Sequence, residues 1–251
     1  MKYLSVHVLL SIFLFASCKK ETSIQPNEKP NINLRIKSIA YSGWSDNGTK
    51  LFSYDNEGRL ARTYNEKRKE AFSFLYGDNG KLEKKARITY YSGIEDTASW
   101  EIFSYDENGY LVQEINYGKD TTYSSTHNYK VDGTGRIVEV KTDYPNGFLR
   151  YKYFWKNGNA VKREDYNGNG LMHEWLYEYD SKISPFCLTQ EYIEAPEYAT
   201  QNNVIKTTVK DYTGLLDLIA NPMIYNHDYN QDGLPTKIST NFGWTLEYEY
   251  E

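Results

Sequence analysis

Apolar and polar residues alternate along most of this chain, and the alternation restarts after each short, polar break. The stretch Leu171 to Tyr179 shows the period: Leu171, His173, Trp175, Tyr177 and Tyr179 share one face, and Met172, Glu174, Leu176 and Glu178 share the other. A period of two marks a strand with unlike faces. Many breaks follow a common frame, Tyr-Asp-x-x-Gly-x-Leu. It reads Tyr54-Asp55-Asn56-Glu57-Gly58-Arg59-Leu60 and returns with variation at Tyr76, Tyr105, Val131, Phe154, Tyr179 (its turn eroded) and Tyr229. Aspartate opening such a turn accepts a backbone N–H, and glycine in the fourth place takes the positive φ of the bulge that follows a type I turn. Each copy therefore predicts a hairpin corner. Starts fall 22 to 29 residues apart except for a last gap of 50, which leaves room for one rewritten copy. Repetition at this length means one supersecondary unit copied in series.

Polar turns of another kind, most of them bearing glycine, separate the copies, at Ser42–Thr49, Asn65–Lys69, Ser92–Thr97, Tyr117–Thr121, Tyr144–Gly147 and Tyr166–Gly170. The segments between turns are rich in Tyr, Phe, Trp, Val, Ile and Thr, which suit a pleated, half-buried surface. The pattern predicts an all-β domain over residues 34–251: an antiparallel up-and-down meander of about 14–16 strands, curled or barrel-like. Closure turns on whether the first and last strands, near Leu34–Tyr41 and Trp244–Tyr250, pair. About fifteen strands at ~4.8 Å spacing and ~40° tilt would close at a radius of about 15 Å, leaving room for a plugging segment or a small ligand. The 25 tyrosines fill the interior, and Lys84, Lys85, Arg87, Glu139, Lys141, Arg163 and Glu164 keep the other face wet. One irregular insertion, about 181–224, interrupts the sheet. It holds Pro185 and Pro196, a strand-like Asn203–Tyr212 and a short helical turn over Gly214–Ala220 stopped by Asn221-Pro222, and is expected to cover an end or a concave face.

The first residues supply an address. Lys2 precedes an apolar Leu4–Phe15, too short to span a bilayer, which ends in Phe15-Ala16-Ser17-Cys18. This resembles the lipobox of bacterial lipoproteins, with Phe15 in place of the usual leucine. The resemblance implies a signal peptide over 1–17, lipidation at Cys18 and an outer-membrane lipoprotein facing periplasm or exterior; an ordinary secretory leader is the alternative. Residues 18–33 are polar and proline-punctuated and read as a flexible tether. Cys187 is then the one remaining thiol, so no disulfide framework exists. A net charge of −5 argues against nucleic acid and against docking on anionic lipid. The membrane is met only through the N-terminal lipid.

Candidate chemistry is thin. Asp165-x-Asn167-x-Asn169-Gly170 and Asp228-x-Asn230-x-Asp232-Gly233 look like the first half of a calcium loop, but Leu176 and Ser239 stand where the bidentate glutamate belongs. Tight turns account for both more plainly, and no metal is assigned. His127, His173 and His227 have no ligand spacing between them, and Cys187 has no catalytic neighbour. No catalytic residue and no cofactor is assigned. Trp44, Trp100, Trp155, Trp175 and Trp244 are candidates for stacking on a sugar or holding a peptide, against a plainer role as interior rings.

The corner frame resembles the YD repeat of Rhs-type bacterial shell proteins, through Tyr54-Asp55, Tyr105-Asp106, Gly58-Arg59-Leu60 and Gly135-Arg136-Ile137. The whole chain is more similar to lipoproteins of unknown function from Gram-negative bacteria with a porin-like β fold. That similarity rests on Tyr179-Asp180-Ser181-Lys182-Ile183-Ser184-Pro185-Phe186 and Gly233-Leu234-Pro235-Thr236-Lys237. The shell role does not transfer at this size. A membrane pore is disfavoured because strands such as Lys81–Arg87 offer no outward apolar band, and because the chain ends in Tyr248-Glu249-Tyr250-Glu251. Three functions remain: a non-enzymatic binding or structural module of the envelope, partnered by a glycan or another envelope protein; a glycan-binding lipoprotein using exposed aromatics; and a hydrolase with its site near 181–224.

Overall fold

The computed structural model describes residues 34–43, 47–144, 147–188, 196, 200–214 and 221–251. Among these residues sixteen strands form one sheet: β1 (Ile36–Ser42), β2 (Gly48–Tyr54), β3 (Leu60–Asn65), β4 (Glu70–Tyr76), β5 (Leu82–Tyr91), β6 (Ile94–Tyr105), β7 (Leu111–Gly118) and β8 (Tyr123–Val131), followed by β9 (Ile137–Tyr144), β10 (Gly147–Lys156), β11 (Asn159–Asn167), β12 (Gly170–Ile183), β13 (Asn202–Asp211), β14 (Met223–Tyr229), β15 (Pro235–Thr240) and β16 (Thr245–Tyr250). Each strand pairs antiparallel with its sequence neighbours. β16 closes on β1 through Ile36 opposite Tyr250, Ile39 opposite Tyr248 and Tyr41 opposite Leu246. The expected meander is thus a closed barrel, of radius about 16 Å by strand count.

The corner frame behaves as its chemistry requires. At β2–β3, Gly58 N donates to Asp55 O at 3.0 Å, and Asp55 N to Arg59 O at 2.9 Å. The Asp55 carboxylate accepts from Glu57 N (3.0 Å) and Arg59 N (2.8 Å). The frame glycines Gly58, Gly80, Gly109, Gly135, Gly158 and Gly233 have φ between 74° and 84°, and the register shifts by one residue beside these corners, as at Ser53/Tyr54 and Ser104/Tyr105. Because the frames sit at the ends of even-numbered strands, every one of these corners lies at the same end of the barrel. The start of β1 and the end of β16 lie there too.

Tyrosine and leucine of the frame join neighbouring hairpins. Tyr76 Oη donates to Leu60 O at 2.8 Å, Tyr105 Oη to Leu82 O at 2.8 Å and Tyr179 Oη to Ala160 O at 2.7 Å. Tyr54 reaches Ile36 O, Trp155 Nε1 reaches Ile137 O and Tyr250 reaches Pro235 O, at 2.7–2.8 Å. On six of the eight even strands an aromatic therefore clamps the first or second residue of the odd strand before it. Ile36, Leu60, Leu82, Leu111, Ile137 and Ala160 are buried beneath this ladder. The basic residue after the glycine adds a further tie: the Arg59 guanidinium stands 4.5 Å from the Tyr76 ring centre and bonds Asp55 Oδ2 at 2.7 Å, and Lys81 lies 5.2 Å from the Tyr105 ring.

Three expectations change. The doubled gap between Tyr179 and Tyr229 hides no lost copy: both sit on even strands, β12 and β14, and the extra residues lengthen the β12–β13 and β13–β14 connections. An eighth ladder ring, Tyr250, stands at the end of β16, outside the seven frames that the sequence marks. Lys85, Arg87 and Arg163 point inward, since their strand partners Phe74, Phe72 and Tyr153 do. Among the described residues of the irregular stretch, β12 runs on to Ile183, a 3-10 turn spans Pro185–Leu188, and β13 occupies most of Asn203–Tyr212. From residue 215 on, the helical turn expected over Gly214–Ala220 lies outside the described residues. The start of the β12–β13 connection packs into the corner end: Pro185 is fully buried, and Phe186 meets Tyr248 edge-on at 6.1 Å.

Candidate functional site

The barrel has two unlike ends. The corner end carries the aromatic ladder and the start of the β12–β13 connection. Below it comes a layer of buried rings and aliphatics, including Ile39, Phe52, Phe74, Phe103, Val140 and Tyr248. Toward the opposite end the inner wall turns polar, and this mouth is the candidate site.

From β5 to β13 the inward positions form linked polar groups. Lys85 Nζ pairs with Glu101 Oε2 at 2.8 Å and stands 5.4 Å from the centre of the Phe72 ring. Glu114, 3% exposed, accepts from Tyr129 Oη (2.6 Å) and Asn116 Nδ2 (3.0 Å). His127 lies 3.4 Å from Ser125 Oγ and 3.3 Å from Thr142 Oγ1. On β11–β13, Arg163 Nε donates to Asp165 Oδ1 at 2.7 Å and Trp175 Nε1 donates to Asp165 Oδ2 at 2.7 Å. His173 sits between two carboxylates, 3.7 Å from Asp165 and 3.6 Å from Asp211. The Arg163 guanidinium is flanked by the rings of Trp175 (4.8 Å) and Tyr151 (5.5 Å). Buried charges are stable only when so compensated.

Loops at this end carry exposed apolar side chains. Tyr91 and Ile94 border the β5–β6 turn, Tyr123 the β7–β8 turn, Tyr144 the end of β9, Tyr212 the end of β13 and Phe242 the β15–β16 turn. All six follow odd strands or precede even ones, so they share one rim. Sequence reading missed this rim, because its residues sit in turns where no periodicity marks them. The available signal was the up-and-down topology itself, which sends alternate turns to alternate ends.

The sequence-based candidates scatter. Cys18 and Trp44 lie outside the described residues. Trp100 is on the outer wall under Lys84 Nζ (4.4 Å), Trp155 belongs to the closing ladder, Trp175 lines the mouth, and Trp244 packs edge-on Tyr225 at 5.7 Å. The calcium-like triplets fall at opposite ends. Asp165 is held by Arg163 and Trp175, and Asn167 Oδ1 accepts from Asn169 N (2.8 Å) at the mouth. At the corner end Asn230 Oδ1 accepts from Asp232 N (3.0 Å) and Leu234 N (2.9 Å), while Asp228 is exposed. Among the described residues no group of three or more His, Cys, Asp or Glu is placed to hold a metal ion. At the irregular insertion the Asp180 carboxylate is taken by Tyr229 and Asn203, and Cys187 Sγ donates to Ser184 O at 2.9 Å.

No family model matches the chain, and no curated protein does. Solved structures do match. A porin-like protein from Bacteroides uniformis aligns with a TM-score of 0.53 at 9% identity, covering 86% of this chain and 96% of the other. A second, from Bacteroides vulgatus, aligns with a TM-score of 0.44 at 10% identity, covering 87% and 99%. At such identities the likeness is one of fold, and the fold of this chain is a porin-like antiparallel barrel.

Proposed function

We propose that this chain is a lipid-anchored, non-enzymatic envelope module that captures a polar ligand, with saccharides as the leading class, at the open mouth of its barrel. The observation that carries the reading is the asymmetry of the ends. One end carries the aromatic ladder, the start of β1 and the end of β16; the polar inner wall lies toward the other, where Tyr91, Tyr123, Tyr144, Tyr212 and Phe242 are exposed. Tyrosine rings stack on sugar faces, and the Asp165, Arg163 and His173 side chains with their neighbours offer donors and acceptors for hydroxyls. A tether over residues 18–33 would enter β1 at the ladder end, and about 16 residues of such composition span a mean of roughly 20–25 Å. The mouth would then point away from the membrane.

The outer wall supports tethering rather than insertion. Across β8–β13 its register sets Lys130 against Glu139, Glu139 against Lys152, Lys152 against Glu164 and Glu174 against Lys210, where a membrane barrel needs an apolar band. The test has two arms. Metabolic labelling with palmitate should mark the wild type and not Cys18→Ala. Calorimetry against a panel of soluble polysaccharides should give binding that Trp175→Ala or Tyr123→Ala weakens about tenfold, at about 1–3 kcal/mol per stacking aromatic. Silence across the whole panel removes the saccharide reading and leaves a structural barrel as the better account.

A further inference from the structure

The aromatic ladder at the corner end has one gap. Seven of the eight even strands end in a donor: Tyr54, Tyr76, Tyr105, Trp155, Tyr179 and Tyr250 reach the carbonyl of the preceding odd strand, and Tyr229 turns instead to Asp180. β8 ends in Val131, which has no donor to offer Leu111, the residue equivalent to Leu60 and Leu82. The neighbouring frame changes in step: where Arg59, Lys81 and Arg136 place a cation over the next ring, Tyr110 stands instead, its ring edge against Gly135. A cavity of about 270 Å³ opens at this place, walled by Tyr105, Tyr110, Leu111, Val131, Ile137 and Trp155. Its lining is mostly apolar and aromatic, completed by Arg136 and Pro196, and the odd-strand carbonyl that six other even strands bond belongs here to Leu111.

We propose that this cavity is a binding site for a small phenol. The ring replaces the side chain that Val131 withholds, lying among Tyr105, Tyr110 and Trp155. The hydroxyl donates to Leu111 O as Tyr76 donates to Leu60 O. The site is independent of the open mouth, which lies at the other end of the barrel, so a failed saccharide panel leaves it untouched. A bare hydrocarbon would gain the same burial without the hydrogen bond, and a side chain built into the gap would compete with the ligand directly.

The test uses 4-methylphenol, the tyrosine side chain as a free molecule, with toluene as the isostere lacking the hydroxyl. In calorimetry on the full chain, 4-methylphenol should bind one-to-one and toluene about three- to tenfold more weakly. In methyl NMR the aromatic protons of 4-methylphenol should show contacts to the Val131 methyls. Val131→Tyr should lose the site and melt higher than wild type. Absence of binding at millimolar 4-methylphenol, equal affinity for toluene, or a folded Val131→Tyr protein that binds as wild type does would each overturn the assignment. Should Val131→Tyr fail to fold, the NMR contact alone decides, since a phenol bound elsewhere would not reach Val131.

Discussion

Replacing Tyr76 by phenylalanine removes one oxygen from the closing ladder and nothing else of consequence. The ring remains, still under the Arg59 guanidinium at 4.5 Å. What is lost is the 2.8 Å bond to Leu60 O, and Leu60 is only 2% exposed, so water has little access to that carbonyl. A buried acceptor stripped of its partner costs about 1–3 kcal/mol, where the net worth of an ordinary bond is about 0.5–1.5. The expected loss is therefore about 1–2 kcal/mol. For a domain of this length it lowers Tm by roughly 2–8 °C. Urea unfolding followed by tryptophan fluorescence reads it as a lower midpoint at unchanged slope. Tyr91→Phe is the matched control: its side chain is 83% exposed at the opposite rim and the same deletion there should stay within about 0.5 kcal/mol. If the two variants unfold at the same urea concentration, the ladder is a geometric coincidence and the account of barrel closure given above is wrong.

The same ladder predicts an alkaline transition. Burial, above all, pushes the phenols of Tyr54, Tyr76 and Tyr105 up to about 12. A raised value in the folded state leaves their contribution intact below about pH 10, the ordinary phenol range, and removes it as pH climbs toward 12; a urea midpoint unchanged across that window would contradict it. Gly58→Ala should cost more than Gly93→Ala. Both sit near φ +80°, but a Cβ at 58 would fall 2.3 Å from Arg35 Nη2 whereas nothing lies within 4 Å at 93, and pushing Arg35 off the Tyr54 ring adds roughly 0.5–1 kcal/mol to the ~1–2 of left-handed strain. Asp165→Asn should destabilise by about 3–5 kcal/mol, because it leaves the Arg163 charge uncompensated in the wall, while Glu178→Gln, at the exposed pair with Lys206, should change less than about 1. Added Ca²⁺ should leave Tm unmoved, since Asp165 and Asn230 already spend their oxygens inside the fold; a rise would restore the metal-loop reading.

The corners were legible because glycine at positive φ and aspartate at a turn have few other uses. Seven copies, counted along the chain, fixed the number of hairpins and hence the meander. Closure was legible only as a question, since pairing of Ile36–Ser42 with Thr245–Tyr250 joins segments that no local pattern relates. The inner polar wall was misread for a definite reason. A strand such as Leu82–Tyr91 carries charges on both faces: Lys84 lies outside over Trp100 and Lys85 inside against Phe72. Period-two reading assigns charge to solvent and cannot tell a wet outer face from a wet lumen. The long β12–β13 connection hid a regular frame for the opposite reason, since Tyr179 keeps its ladder bond to Ala160 although its corner has dissolved.

The substitutions within the frame say which part of it matters to closure. Trp155 stands one residue beyond the frame's aromatic place, yet its indole N–H reaches Ile137 O at 2.8 Å; a different ring at a shifted position still finds the carbonyl. Pro235 and Ala160 replace leucine and still present their carbonyls to Tyr250 and Tyr179. What is kept on six of the eight hairpins is therefore an acceptor carbonyl on the odd strand and a donor-bearing ring on the next even one, and the identity of either side chain is secondary. That requirement falls wholly on the corner end. An up-and-down meander sends its other turns to the opposite end, where a comparable contact, Tyr123 Oη to Asp143 O, is longer at 3.4 Å. If the mouth takes a ligand, the residues that hold the fold shut are separate from those that meet it: Tyr123→Ala should alter binding at little cost to stability, Trp175→Ala should cost both because its indole holds the buried Asp165 carboxylate, and Tyr76→Phe should lower stability alone.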